Sequence, residues 1–166
     1  MSLPPARHVF VYGTLRQGEA RDITRLLPAP RWVGYARVPG VLYHLGTYPG
    51  VVLRESGWIR GEVYEISPEL ERLLDEIEDV WPQESGEYSK RERVLRIDAG
   101  AIPDTCLQGS QPAEIALEVV CIVYEIAPDR IVGMPVIRCG DWVRHRLELA
   151  AQVGTGTGPG PDPDPD

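Results

Sequence analysis

The sequence predicts a single α+β domain in which short strands outnumber helices. Three observations carry this. Residues 8–12, 58–66 and 115–126 are apolar or alternating runs bounded by turn residues, the mark of strands. Leu70, Leu73, Leu74 and Ile77 recur at i, i+3, i+4 and i+7, which places them on one face of a helix. The chain has 166 residues, enough to bury one sizeable core.

Residues 8–12 form the first strand, an apolar run that stops at Gly13. Residues 22–27 form a short helix or turn. Residues 32–38, 41–44 and 51–53 read as short strands, broken by Pro39-Gly40 and Pro49-Gly50. Residues 58–66 alternate and make a longer strand. A helix follows, with Ser67 as N-cap and Pro68 in the first helical position, where its missing N–H costs nothing. Residues 91–97 are a strand with Val94 and Ile97 inward. Residues 99–113 hold Gly, Pro and Ser without a pattern and read as a loop. Residues 115–126 are the clearest strand. Residues 141–150 can form a helix with Val143, Leu147 and Ala150 on one face. The domain is expected to span residues 7–150. Residues 151–166 end in Gly-Pro-Gly-Pro-Asp-Pro-Asp-Pro-Asp, have almost nothing to bury, and are expected to be a disordered tail.

Two stretches hold candidate chemistry. At Tyr12-Gly13-Thr14-Leu15 a glycine directly after a strand permits a turn that other residues resist. Successive backbone N–H groups there can converge on an anion without any basic side chain. An ordinary strand-ending turn is the other reading of the same four residues. The second stretch is the helix. At about 100° per residue, Glu78 sits roughly 90° from the centre of the apolar stripe, closer to the core than Glu71, Asp75 or Glu76. Partial burial and the helix C-terminus both disfavour a carboxylate, so a raised pKa and general acid/base work near neutral pH are expected. A solvated flanking acid is the alternative.

Together these stretches resemble the γ-glutamylcyclotransferase-like proteins, a family that includes γ-glutamylamine cyclotransferases and AIG2-like proteins. The family pattern is a first strand ending in YG[ST]L and a helix carrying LDxxE, here Leu74-Asp75-Glu76-Ile77-Glu78. Tyr48-Pro49-Gly50 resembles its YPG turn, and Gly61-Glu62-Val63-Tyr64 its G-x-[VL]-Y strand. Cys121-Ile122-Val123-Tyr124 and Gly140-Asp141-Trp142 resemble its closing strand and terminal G-D-W. Tyr88, Arg91 and Val94 resemble its Y-x-R-x-x-V segment, one residue out of step. The likeness runs over about residues 7–148. Arg21 departs from it, standing where many relatives have Asn or His.

The resemblance implies a small mixed β-barrel with flanking helices, and a γ-glutamyl cyclotransferase. In that reaction the free α-amine attacks its own γ-carbonyl, 5-oxoproline forms, and an amine or amino acid leaves. It implies Glu78 as the catalytic acid/base, and Tyr12, Gly13, Thr14, Leu15 and Tyr124 as substrate-binding residues. It calls for no cofactor and no metal. A non-catalytic binding protein that keeps the pocket is the alternative function.

Composition is consistent with a small-molecule partner. There are 25 acidic against 17 basic residues, a net charge of −8, which disfavours nucleic acid and anionic membrane surfaces as partners. No apolar run reaches the roughly 18 residues a membrane span needs, and residues 1–7 lack signal-peptide regions. A cytoplasmic location is therefore expected. Cys106, Cys121 and Cys139 show no zinc-ligand or disulfide pattern, and Cys121 reads as packed core. His8, His44 and His145 carry no local catalytic signature. Arg16 and Arg21 read as solvated loop residues. Trp32, Trp58, Trp81 and Trp142 read as packing residues, with Trp81 and Tyr88 as candidates for the border of the site.

Overall fold

A computed structural model of the chain describes residues 7–78, 86–98 and 117–155. The expected loop at 99–113, with Cys106, lies outside the described residues, as do Trp81 and residues 156–166. The chain runs β1 (Arg7–Val11), β2 (Arg31–His44), β3 (Pro49–Ile66), α1 (Pro68–Ile77), β4 (Tyr88–Arg96), β5 (Glu118–Ile126) and α2 (Trp142–Thr155), with a short 3₁₀ turn at Ile23–Arg25. The strands form one mixed sheet in the order β2-β3-β1-β5-β4. β1 and β5 are parallel; the β1–β3, β2–β3 and β4–β5 pairs are antiparallel.

The sheet is not closed, which corrects the expected barrel. Its outer strands approach each other at one isolated bridge, between Ala36 of β2 and Ile97 just past β4. A single bridge is not a ladder, so the strands curl together without sealing.

The strand break expected at Pro39-Gly40 is absent, and the one expected at Pro49-Gly50 falls just before that pair, at residues 45–48, so that Pro49 begins β3. β2 and β3 are long strands that form one hairpin. Pro39 pairs with Trp58 and Gly40 with Leu53, so the register jumps there and residues 54–57 are looped out of the ladder. Proline has no N–H to give a ladder and is tolerated at such an irregularity. Pro39-Gly40 thus marks a shift of register rather than the end of a strand.

β1 shows why the sheet has two buried faces. Val9 and Val11 pack on one side with Ile66, Leu70, Leu74 and Ile122. Phe10 and Tyr12 pack on the other with Val63, Cys121, Val123 and Trp142. Alternate side chains of a strand point to opposite faces, so a strand apolar at every position is covered on both. α1 covers the first face. Ser67 accepts a hydrogen bond from the Leu70 N–H (3.2 Å), and Leu70 and Leu74 are fully buried with Leu73 and Ile77 beside them.

The same period of two corrects the reading of β4. Leu95 and Ile97 are buried and Val94 is exposed, because residues three apart cannot share a strand face. α2 also differs. It runs five residues past 150, to Thr155, and it buries Trp142 while Leu147 stays exposed. Trp32 and Trp58 lie at the surface, 36% and 61% exposed.

Candidate active site

β1 leads straight into the loop of interest. The Arg16 N–H donates to the Gly13 carbonyl (3.0 Å), closing a tight turn. The Arg21 N–H donates to the Thr14 carbonyl (2.8 Å) and the Ile23 N–H to that of Leu15 (2.9 Å), so the loop folds back on itself. Gly13 is not left-handed, which corrects the conformational reason given for it. Its need for glycine is steric. A Cβ at Gly13 would lie 2.6 Å from Cγ and 2.8 Å from Cδ of Pro49.

Arg16 is not a solvated loop residue. It is 5% exposed; its Nε donates to Glu62 Oε2 (2.6 Å) and its Nη1 to Asp141 Oδ1 (2.7 Å). Glu62 is equally buried and also accepts from the Gln17 N–H (2.9 Å) and the Tyr64 hydroxyl (2.8 Å). A buried charge persists only when paired and hydrogen-bonded, and this set ties the loop to β3 and to the residue preceding α2. Burial opposes the charged guanidinium, but the bond to Glu62 and the charges of Glu62 and Asp141 outweigh it, and the Arg16 pKa is raised.

Glu78 ends α1. Its N–H donates to the Leu74 carbonyl (2.9 Å), and the residue is half-buried. A cleft of about 190 Å³ separates it from the turn. Tyr12, Gly13, Thr14, Leu15, Glu78 and Tyr124 all line this cleft. It is completed by Ile77, Arg21, the Tyr48-Pro49 pair and the Glu87-Tyr88 pair.

The phenols of the cleft are held neutral. Burial is the first cause that raises the pKa values of Tyr12, Tyr88 and Tyr124, and the charge of Glu78 adds to each. Their hydroxyls are committed to the protein: Tyr12 donates to the Tyr124 carbonyl (2.6 Å), Tyr88 to the Pro49 carbonyl (3.2 Å) and Tyr124 to Asp75 Oδ1 (2.7 Å). The Tyr48 hydroxyl donates to Glu87 Oε1 (2.6 Å), and that bond is the first cause raising its pKa. Neutral phenols can orient a ligand but cannot serve as bases near neutral pH, which leaves proton transfer in the cleft to carboxylates.

Three comparisons bear on this arrangement. The family described as "Gamma-glutamyl cyclotransferase, AIG2-like" matches residues 9–144. The chain belongs to this family. Over 73 residues, 43% of the chain, it is 38% identical to the γ-L-glutamyl-butirosin B γ-glutamyl cyclotransferase of Niallia circulans, of which the match covers 46%. Over a 73-residue match it is 41% identical to a putative γ-glutamylcyclotransferase of Vibrio cholerae, of which 62% is covered. The chain thus spans about half the length of these curated relatives. Among solved structures, YkqA of Bacillus subtilis superposes with a TM-score of 0.61 at 23% identity, over 89% of this chain and 43% of that one. A mouse AIG2-like protein does so with a TM-score of 0.55 at 22% identity, over 78% and 84%. At such identities the structural likeness concerns the fold.

Within this γ-glutamyl cyclotransferase-like frame, Asp75 departs from its expected place. It does not line the cleft, but it is partly buried and accepts from the hydroxyl of Tyr124, which does, and from Lys90 Nζ (3.0 Å), which also reaches Glu71 (2.6 Å). Sequence reasoning missed Glu87, whose only signal was its place beside Tyr88, and Tyr48, noted only as part of a turn. Arg21 is exposed, as expected, yet borders the cleft. His44 and His145 pair with each other away from it, ring nitrogens 3.2 Å apart.

Proposed function

We propose that the protein is a γ-glutamyl cyclotransferase with Glu78 as its single proton-transfer group. The carrying observation is that the Gly13–Leu15 turn, four neutral tyrosines and the Glu78 carboxyl share one small cleft. The α-carboxylate of the γ-glutamyl group binds the backbone N–H groups of Gly13, Thr14 and Leu15. Tyr12 and Tyr124 shape the wall that bends the glutamyl chain. Glu78 takes a proton from the α-ammonium, and the amine attacks the γ-carbonyl carbon. A C–N bond closes the five-membered ring, and the bond to the leaving nitrogen breaks as Glu78 returns a proton to it.

The protons balance across the cycle. The α-ammonium loses two in becoming a ring amide, and the leaving nitrogen gains two in becoming an ammonium. One carboxyl serving both ends therefore finishes as it began. Because nucleophile and electrophile belong to one molecule, the cleft's main task is to hold a near-attack shape.

Glu78→Gln keeps size and hydrogen bonding but removes the base. Release of 5-oxoproline should fall about 100-fold or more, whereas Glu87→Gln, which changes a carboxyl already engaged by Tyr48, should cost much less. Full activity in folded Glu78→Gln, or the reverse ranking of the two variants, would show that the base is assigned to the wrong residue.

A further inference from the structure

The outer face of the β2–β3 hairpin carries two cations that the cleft does not use. Tyr35, Arg37 and Pro39 alternate with buried Ala36 and Val38, so they share the outer side of the sheet. Their partners in the register are Glu62, Arg60 and Trp58. Arg37 and Arg60 thus stand directly opposite each other, and both are exposed. Like charges so placed are destabilising. Among the described residues neither arginine forms an ion pair, although the chain has 25 acids against 17 bases. Glu62 gives them no relief, because it is buried and bonded to Arg16.

Each guanidinium is held by a ring instead. Arg37 Cζ lies 5.6 Å from the centroid of the Trp58 ring, and Arg60 Cζ 4.6 Å from that of Tyr35, distances at which a cation is attracted to an aromatic face. Trp32 backs Tyr35 edge-on, with 5.0 Å between centroids. The two charges are therefore positioned, their N–H groups are unused by any acid, and exposed Trp58 lies beside them. Arginine takes carboxylates through charge-assisted hydrogen bonds, and exposed aromatic surfaces take proline-rich chains. Together they suit a ligand that alternates proline with acid.

The chain itself contains such a segment. Residues 159–166 read Pro-Gly-Pro-Asp-Pro-Asp-Pro-Asp, with an acid at every second position from Asp162. They follow α2, and α2 begins at this face. The Arg60 N–H donates to the Gly140 carbonyl (2.8 Å), and a Cβ on Gly140 would lie 2.1 Å from the Trp58 carbonyl oxygen. From Thr155 back to Gly140 is about 22 Å along a helix. An extended proline-rich chain covers about 28 Å between Thr155 and Asp164, so the aspartates can return the whole length of α2. Aspartates two residues apart lie about 6 Å apart along such a chain, close to the roughly 5 Å between facing side chains of paired strands. We propose that the Arg37–Arg60 face is a docking site for an acidic, proline-rich segment, and that residues 159–166 of the same chain occupy it. Proline-rich chains are already extended, and the tether keeps the local concentration in the millimolar range, so a few exposed ion pairs suffice. The docking holds whatever the cleft catalyses.

NMR of the full chain tests this. Truncation after Thr155 should shift the indole N–H resonance of Trp58, identified by its loss in Trp58→Phe, and leave that of buried Trp142 in place. Asp162→Asn/Asp164→Asn/Asp166→Asn should produce the same shift. So should about 1 M NaCl, where the screening length is about 3 Å, in the full chain and not in the truncated one. The amide order parameters of Asp162 and Asp164 should stand at about 0.6 or above in the unaltered protein and fall below that in Arg37→Gln/Arg60→Gln. Both arginines are exposed, so the double change leaves the fold in place, and Arg37→Lys/Arg60→Lys should retain part of the order. A Trp58 resonance that truncation does not move overturns the proposal, as does tail order that survives in the double glutamine variant. A truncation shift that vanishes on tenfold dilution also overturns it, since the segment on the face would then belong to a second copy.

Discussion

Arg16→Met is expected to be among the costlier single changes outside the apolar core. Methionine fills much of the space of the arginine stem but removes the charge. Glu62, 3% exposed, is left with its Gln17 and Tyr64 hydrogen bonds and no cation. Asp141 loses a 2.7 Å bond but is partly reached by solvent, its side chain 19% exposed. The main cost is therefore one uncompensated buried carboxylate. Breaking a buried pair in this way costs about 3–5 kcal/mol. At about 2–4 °C per kcal/mol for a chain of this size, the melting temperature should fall by about 6–20 °C. A double change, Arg16→Met with Glu62→Gln, removes the stranded charge while keeping an acceptor for Tyr64. It should recover part of the loss, so the cycle shows coupling between the two sites. Thermal melting and urea unfolding of the four proteins measure this. A single-variant loss below about 1 kcal/mol is what an exposed pair gives; that result, or strict additivity, would mean the Arg16–Glu62 contact is not the buried tie described.

Three other outcomes follow from particular contacts. Gly13→Ala places a methyl where Pro49 already sits, so it should destabilise by about 1–3 kcal/mol and weaken 5-oxoproline binding; an unchanged melt would show that the YPG turn does not press on Gly13. Burial of Asp22 favours its protonated form, but the bonds from Thr24 and Gly18 outweigh this and lower its pKa. A lowered folded-state pKa stabilises above the unfolded value and is lost as pH falls, so the stability gap between the unaltered protein and Asp22→Asn should shrink as pH drops through about 4; a gap constant from pH 7 to 3 refutes it. Burial pushes the Cys121 thiol up to about 12, whereas Cys139 is exposed. Peptide mapping after brief alkylation at pH 8 should find Cys139 modified and Cys121 untouched until the protein unfolds, and early labelling of Cys121 would contradict its packing.

What was legible in the sequence was local. The Ser67-Pro68 start and the Leu70, Leu73, Leu74 and Ile77 stripe are written within a dozen residues, so α1 and the position of Glu78 at its end follow from periodicity and capping alone. The strand that stops at Gly13 is legible for the same reason. The extent of β2 and β3 was not, because Pro39-Gly40 and Pro49-Gly50 have the composition of breaks while the hairpin absorbs one pair as a register jump and the other as a strand start. Arg16 failed differently. Its partners are 46 and 125 residues away, and no window around the loop contains either charge. The reason for a glycine at Gly13 was misjudged, since the neighbour that excludes a side chain is Pro49, which the topology delivers from another strand.

The same distinction bears on how the cleft is divided. A γ-glutamyl group is common to every substrate of such a reaction, so the parts that would hold it must sit where geometry varies least. The Gly13–Leu15 turn, proposed to hold it, follows a buried strand, packs on Pro49 and is fastened by the Arg16 network, and Tyr124 is held by Asp75, which Lys90 holds in turn. The residues at the rim of the cleft are of another kind. Arg21 is exposed and precedes the short 3₁₀ turn, Arg25 is exposed and ends it, and among the described residues neither forms an ion pair. Loop positions carried on a rigid scaffold are where selectivity can change without loss of fold. On the cyclotransferase reading proposed above, the constant γ-glutamyl group falls to this packed inner end, and Arg21, which departs from the family pattern, stands at its solvated rim.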